Sequence, residues 1–150
     1  MKIFHGIEEL EKAAGTHLGW SDWHPVPQEQ VDLFAEATGD HQWIHVDLER
    51  AKNGPFCTTI AHGYLTLSLL PRLVEEVYTV EGLRMAVNYG TDKVRFPSPV
   101  PVGSRIRAGV ELIRLAETPA GRLSTARVTI EREGGDKPAC VAEALGLLVP

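Results

Sequence analysis

The sequence predicts an α+β fold in which one antiparallel β-sheet curls around a single apolar helix. Two observations carry this. In GYLTLSLLPRLVEEVY, the apolar residues from Leu65 to Leu70 occupy nearly all sides of a helix, so other elements must wrap it. After Gly82, four segments alternate apolar with polar residues and are joined by short connections. Short connections imply antiparallel pairing, because parallel strands need long crossovers. A chain of 150 residues is about one domain long, and no linker, repeat or low-complexity tract divides it, so residues 1–150 are expected to form a single domain.

Each element has its own signal. Phe4, Ile7 and Leu10 recur at helical spacing among acidic residues, predicting a short surface helix over residues 6–14 that ends at Gly15. Residues 16–25 carry Trp20 and Trp23 among polar neighbours and read as a first strand, closed by Pro25 and Pro27. From Pro27, the residues Val31, Phe34, Ala35 and Thr38 share one helical face. Glu29 lies in the first turn, where the dipole favours it, and Gly39 follows as a C-terminal glycine. Asp40 therefore falls in a loop just past a helix end.

Residues 40–60 show no clean period, apart from one helical turn over 47–52 capped by Asp47 and a turn at Asn53-Gly54-Pro55. The apolar helix then starts at Gly63, and Pro71 within it is expected to kink or break its ladder. The strands follow. Val94 and Phe96 alternate with Lys93 and Arg95, Ile106 to Leu112 alternate with Arg105, Arg107 and Glu111, and Ala126, Val128 and Ile130 line one face. The last strand, 139–149, places Cys140, Ala142, Ala144 and Gly146 on one face, small enough for a helix to lie close.

Bulk composition excludes several function classes. A net charge of −5 with scattered basic residues argues against nucleic-acid or anionic-membrane partners. No run approaches the ~20 apolar residues of a membrane span. The start, MKIFHGIEELEKAAG, lacks the basic and apolar regions of a secretory signal, which gives a cytoplasmic expectation. Cys57 and Cys140 show no metal or redox spacing and are expected to be buried thiols.

The chemistry-bearing residues concentrate in ATGDHQWIHVDLERAKNGPFCTTIAHGY. Asp40 and His45, five residues apart, are able to hold a water, take its proton and return one to a substrate. Taken alone, Asp40 reads more readily as a turn former and His45 as a packed or surface residue, because short motifs of this kind are common by chance. His62-Gly63 opens the apolar helix, whose first N–H groups are unpaired at the positive end of its dipole and suit a developing oxyanion. The plain alternative is that Gly63 lets the chain turn or pack tightly. A metal held by His41, His45, Asp47 and His62 is disfavoured, since those residues share no regular face. A Cys57 nucleophile is disfavoured by its apolar neighbours.

At these residues the sequence resembles the MaoC-like, (R)-specific enoyl-CoA hydratases, and within them the subgroup of nodulation protein N-like proteins. Three stretches carry the resemblance over most of the chain: FAEATGDHQWIHVDLERA, GPFCTTIAHGYLTLSLLPRL and NYGTDKVRFPSPVPVGSRIR. It implies a hot-dog fold, with the sheet wrapped around the helix from Gly63. It also implies water addition to trans-2-enoyl-CoA in fatty-acid metabolism, giving (R)-3-hydroxyacyl-CoA without a cofactor or metal. Asp40 and His45 match the family's catalytic pair; Asp40 is read as base on water and His45 as holding that water, and the proton returned to the α-carbon is assignable to either of the two from sequence. Gly63 matches the glycine whose backbone N–H polarises the thioester carbonyl. Gln42, His62 and Asn88 are possible supporting residues, with Tyr89 beside Asn88. An acyl-CoA or acyl carrier protein substrate and a homodimer are further implications.

The sequence departs from the family where many members read Asn-Pro. Gln42-Trp43-Ile44 stands there instead, and Trp43 adds bulk. Two rival classes remain open at this stage: a hot-dog thioesterase, and a non-catalytic acyl-thioester binder.

Overall fold

A computed structural model describes residues 1–150. In chain order the elements are β1 (Lys2–Phe4), α1 (Ile7–Lys12), β2 (Thr16–Trp20), β3 (His24–Pro25), α2 (Gln28–Thr38), α3 (Trp43–Val46), α4 (Leu48–Lys52), α5 (Gly63–Ser68), α6 (Leu70–Glu75), β4 (Tyr78–Val80), β5 (Met85–Arg95), β6 (Arg105–Thr118), β7 (Gly121–Arg132) and β8 (Cys140–Val149). The main sheet runs β2-β6-β7-β8-β5, with β3 also on β6, and all its pairings are antiparallel. Register shifts after Leu112 and Asn88 mark bulges, which let a sheet bend.

The inner face of this sheet meets α5 and α6. Ile106, Val110 and Leu112 of β6, Val128 and Ile130 of β7, and Leu73 of α6 are all essentially excluded from solvent. On β8, Cys140 and Ala142 are fully buried, so the small-residue face expected there does pack inward. The outer face is a ladder of ion pairs. Arg107 bonds Glu131 at 3.0 Å, Arg127 bonds Glu111 at 2.9 Å, and Arg105 pairs with Glu133. Exposed pairs of this kind contribute little stability each, but they keep that face in water.

The apolar helix is broken as Pro71 requires. Pro71 has no N–H to give to the Leu67 carbonyl, and the ladder interrupts at Leu69 between α5 and α6. Pro71 then sits in the first turn of α6, where a missing N–H costs nothing. α2 ends on Gly39 at φ 79°, and Asp47 accepts from Arg50 N at 3.0 Å to cap α4, as the sequence indicates.

Four features differ from the sequence reading. The first strand is split into β2 and β3. The short parallel pair β1 and β4 and the single turn α3 are additional. Cys57 is exposed, because the chain turns there with φ at 60°, whereas Cys140 is buried as expected. No helix is long and apolar enough to cross a membrane.

Candidate active site

The site is built where α2 gives way to the following loop. Beyond Gly39 the exposed Asp40 uses Oδ1 to accept from Gln42 N at 3.3 Å, and Gln42 opens α3. That single turn swings His45 inward until the residue is only 6% exposed. His45 Nδ1 lies 2.7 Å from the Ile60 carbonyl, which can only accept, so Nδ1 carries the proton and Nε2 is left as an acceptor. The backbone of His45 is tied as well. Gln28 Nε2 donates to the His45 carbonyl at 2.8 Å, while Gln28 Oε1 accepts from Thr59 Oγ1 at 2.5 Å. Burial pushes the His45 pKa below its ordinary value, the Ile60 carbonyl and Asp40 oppose that shift, and His62 reinforces it. His45 is therefore a neutral imidazole near pH 7.

His62 sits at the N-cap of α5 and is 2% exposed. Its Nε2–H donates to the Asp40 backbone carbonyl at 3.0 Å, and its ring stacks on His45 with centroids 3.8 Å apart. Next along the chain, Gly63 is the first residue of α5, so its N–H has no acceptor within the helix. A Cβ on Gly63 would stand 3.1 Å from two ring carbons of Phe96, which closes over this point. A cleft of about 270 Å³ opens here, lined by His45, Phe56, Gly63, Thr66, Phe96 and Ser98 among others.

Polar atoms of Asp40, His45 and His62 lie within 4.8 Å of one another. A water making bonds of about 2.8 Å to two groups spans that distance. The same three residues fit a metal poorly. The stacked imidazoles hold their lone pairs in nearly parallel planes, with 23° between the rings, and do not converge as a tetrahedral ligand set does. Of the other residues considered as ligands, His41 is exposed beside Glu36 and Asp47 caps α4.

The remaining supporting residues divide. Gln42 serves through its backbone N–H, its side chain being exposed. Asn88 is not brought to the cleft. It lines a separate groove with Leu67, Ser68 and Pro71, and Tyr89 lines the same groove. Trp43 is turned away from the cleft, its ring packed near Gly54 and beneath the Arg50 guanidinium at 4.4 Å, so its bulk stiffens the loop without filling the pocket. Gln28, Thr59 and Phe96 were not singled out by the sequence. Gln28 acts through three partners scattered along the chain, and no local pattern announces it.

The chain matches the family model described as MaoC like domain over residues 9–138. It is 56% identical over 146 residues to 3-hydroxyacyl-thioester dehydratase Z of Mycobacterium tuberculosis, covering 97% of each chain. It is 42% identical over 145 residues to nodulation protein N of Rhizobium leguminosarum bv. viciae, covering 95% of this chain and 90% of that one. Among solved structures, the (R)-hydratase from A. caviae involved in PHA biosynthesis superposes with a TM-score of 0.72 at 27% identity, covering 89% of this chain and 96% of the other. The sheet curled around α5 and α6 is thus a hot-dog fold.

Proposed function

The chain belongs to the MaoC-like family of hydro-lyases, and on that ground we propose that it is an (R)-specific enoyl-CoA hydratase. In this reading it adds water reversibly to a trans-2-enoyl-CoA to give an (R)-3-hydroxyacyl-CoA, acting as one domain in cytoplasmic fatty-acid metabolism. The observation that carries the proposal is the Asp40–His45 pair, set at water-bridging distance, with His45 sharing one cleft with Gly63 and its unpaired N–H. The (R) product follows the likeness to the A. caviae hydratase.

The thioester carbonyl accepts from Gly63 N–H at the start of α5, which draws electrons from the double bond and makes the β-carbon electrophilic. Asp40 takes a proton from the water held against His45 Nε2, and the water oxygen bonds to the β-carbon. The π electrons pass into the enolate, whose oxygen faces the Gly63 N–H. The enolate then collapses as the α-carbon takes a proton. His45 starts neutral, with its one N–H on the Ile60 carbonyl. The proton reaching the α-carbon is therefore the one the pair removed from water, and the pair ends as it began. The acyl chain lies along the apolar lining near Phe56, Ile60 and Val100.

A second copy of the chain fits against β5. This edge strand exposes Met85, Val87 and Tyr89, the last at 67%, while the charged outer face is unsuited to burial. Pairing two β5 edges would continue the sheet through a homodimer.

The deciding assay follows loss of the enoyl chromophore of crotonyl-CoA and longer enoyl-CoA or acyl carrier protein thioesters. Native protein turns over, while Asp40→Asn and His45→Gln lose roughly 100-fold or more. Native rates in both variants would sink the proposal. Thiol release with the double bond intact would make the protein a thioesterase, and tight acyl-CoA binding without turnover a binding protein.

A further inference from the structure

His62 does more than fill space. Its ring packs against two others, Phe34 of α2 at 4.9 Å between centroids and tilted by 55°, and His45 of α3 stacked at 3.8 Å. Its Nε2–H holds the Asp40 carbonyl, and its own backbone carbonyl starts the α5 ladder by accepting from Thr66 N at 3.1 Å. One residue thus joins every part of the site: its side chain meets the Asp40 loop and the His45 ring, and its backbone opens the helix that presents Gly63. Its Nδ1 is buried with no hydrogen-bond partner. An unpaired buried acceptor is unfavourable, and a phenylalanine would fill the same space without it. What a phenylalanine lacks is the N–H on the Asp40 carbonyl and an imidazole against His45.

We propose that His62 is a positioning residue of the hydration step, holding Asp40 and the His45 ring in register with the Gly63 N–H. This rests on the hydratase reading. A misplacement of about 1 Å in a reacting group can lower a rate 100-fold, so a residue fixing two such groups acts on kcat. Of the titratable groups acting on His45, His62 lowers its pKa and Asp40 raises it. Removing the second imidazole therefore lets His45 take up a proton at a higher pH.

The test uses His62→Phe, which keeps a ring against Phe34 and His45, and His62→Gln, which keeps a donor toward the Asp40 carbonyl. Each is read by kcat and KM for hydration, by the pH profile of kcat/KM, by the NMR titration of His45, and by Tm. In His62→Phe, kcat is expected to fall at least tenfold with KM within threefold. In both variants, the acid limb and the His45 midpoint are expected to move to higher pH. His62→Gln recovers part of kcat through its amide donor, and it carries the same readings if His62→Phe does not fold. A folded variant with kcat within threefold of native, or an unmoved His45 midpoint, would overturn the inference. Absence of turnover in the native protein on any enoyl thioester defeats the hydratase reading itself, which the variants alone cannot do.

Discussion

Replacing Gly63 by alanine separates the two jobs this residue has been given. The φ of Gly63 lies outside the left-handed region, so an alanine meets no backbone strain. Its new Cβ stands 3.1 Å from Cδ2 and Cε2 of Phe96, against an ordinary carbon contact of about 3.5–4.0 Å. The ring must therefore retreat by roughly 0.5 Å. Phe96 is 41% exposed, just past the end of β5, and has room to do so. The small packing loss is offset by the helix preference for Ala over Gly, at most about 1 kcal/mol. Tm should stay within a few degrees. Chemistry is affected differently. Losing one oxyanion donor costs about 2.7–4 kcal/mol. A methyl group and a displaced ring that offset the carbonyl without removing the N–H should forfeit about half of that, lowering kcat/KM by about tenfold to 30-fold. Enoyl-CoA hydration rates and thermal melts on the same preparation decide the matter. A stable variant with native kcat/KM would refute the oxyanion role. A large fall in Tm with native kcat/KM would make Gly63 a packing residue.

Three other outcomes follow from the same geometry. Because burial lowers the His45 pKa, the unfolded chain protonates first as pH falls through the ordinary value of 6.5, and stability should decline below that point while staying flat above it. Melts of native protein and His45→Gln between pH 5 and 8 should show a shallower slope in the variant, and equal slopes would count against a buried neutral His45. Of the two thiols, the exposed Cys57 should react with a thiol reagent in the native state, while Cys140, pushed up to about 11 by burial, should react only after denaturation. Two fast thiols in native protein would contradict the packing of β8. Finally, Val87→Lys on the exposed β5 edge should shift the particle from a dimer toward a 16.5 kDa monomer in sedimentation, and a native protein that already sediments as a monomer would exclude the β5 pairing.

What the sequence revealed depended on how local each signal was. α2 was legible because Pro27 and Gly39 bracket one apolar face, and β6 and β7 because their alternation runs over many residues. α3 was not, since four residues are too few to display a period, although this turn carries His45 into the cleft. β1 and β4 are three residues each, and they pair in parallel between distant parts of the chain. Cys57 misled because its sequence neighbours are apolar, whereas its exposure is set by a backbone reversal. The position of Asn88 on β5 was readable, but the groove it lines was not. The Gln42-Trp43-Ile44 departure is accommodated because Trp43 turns toward Arg50 and Gly54, leaving only the Gln42 backbone to do work at Asp40.

The break at Leu69 links that local chemistry to the fold. An unbroken apolar helix would have one axis, and the packing of its C-terminal half would dictate where its first N–H pointed. Pro71 divides it, so α6 packs on β6 and β4 while α5 packs on the small residues of β8. The start of α5 is then positioned by its own neighbours: His62 beneath it on the Asp40 carbonyl, Phe96 over Gly63, and Ala61 N bonded to the Val100 carbonyl at 2.8 Å just upstream. Ile60, whose carbonyl fixes the His45 tautomer, belongs to that same short approach. The segment from Ile60 to Gly63 thus orients the histidine and presents the Gly63 N–H with one stretch of backbone. A shift in it would misplace both groups together, which is why the segment is anchored at each end.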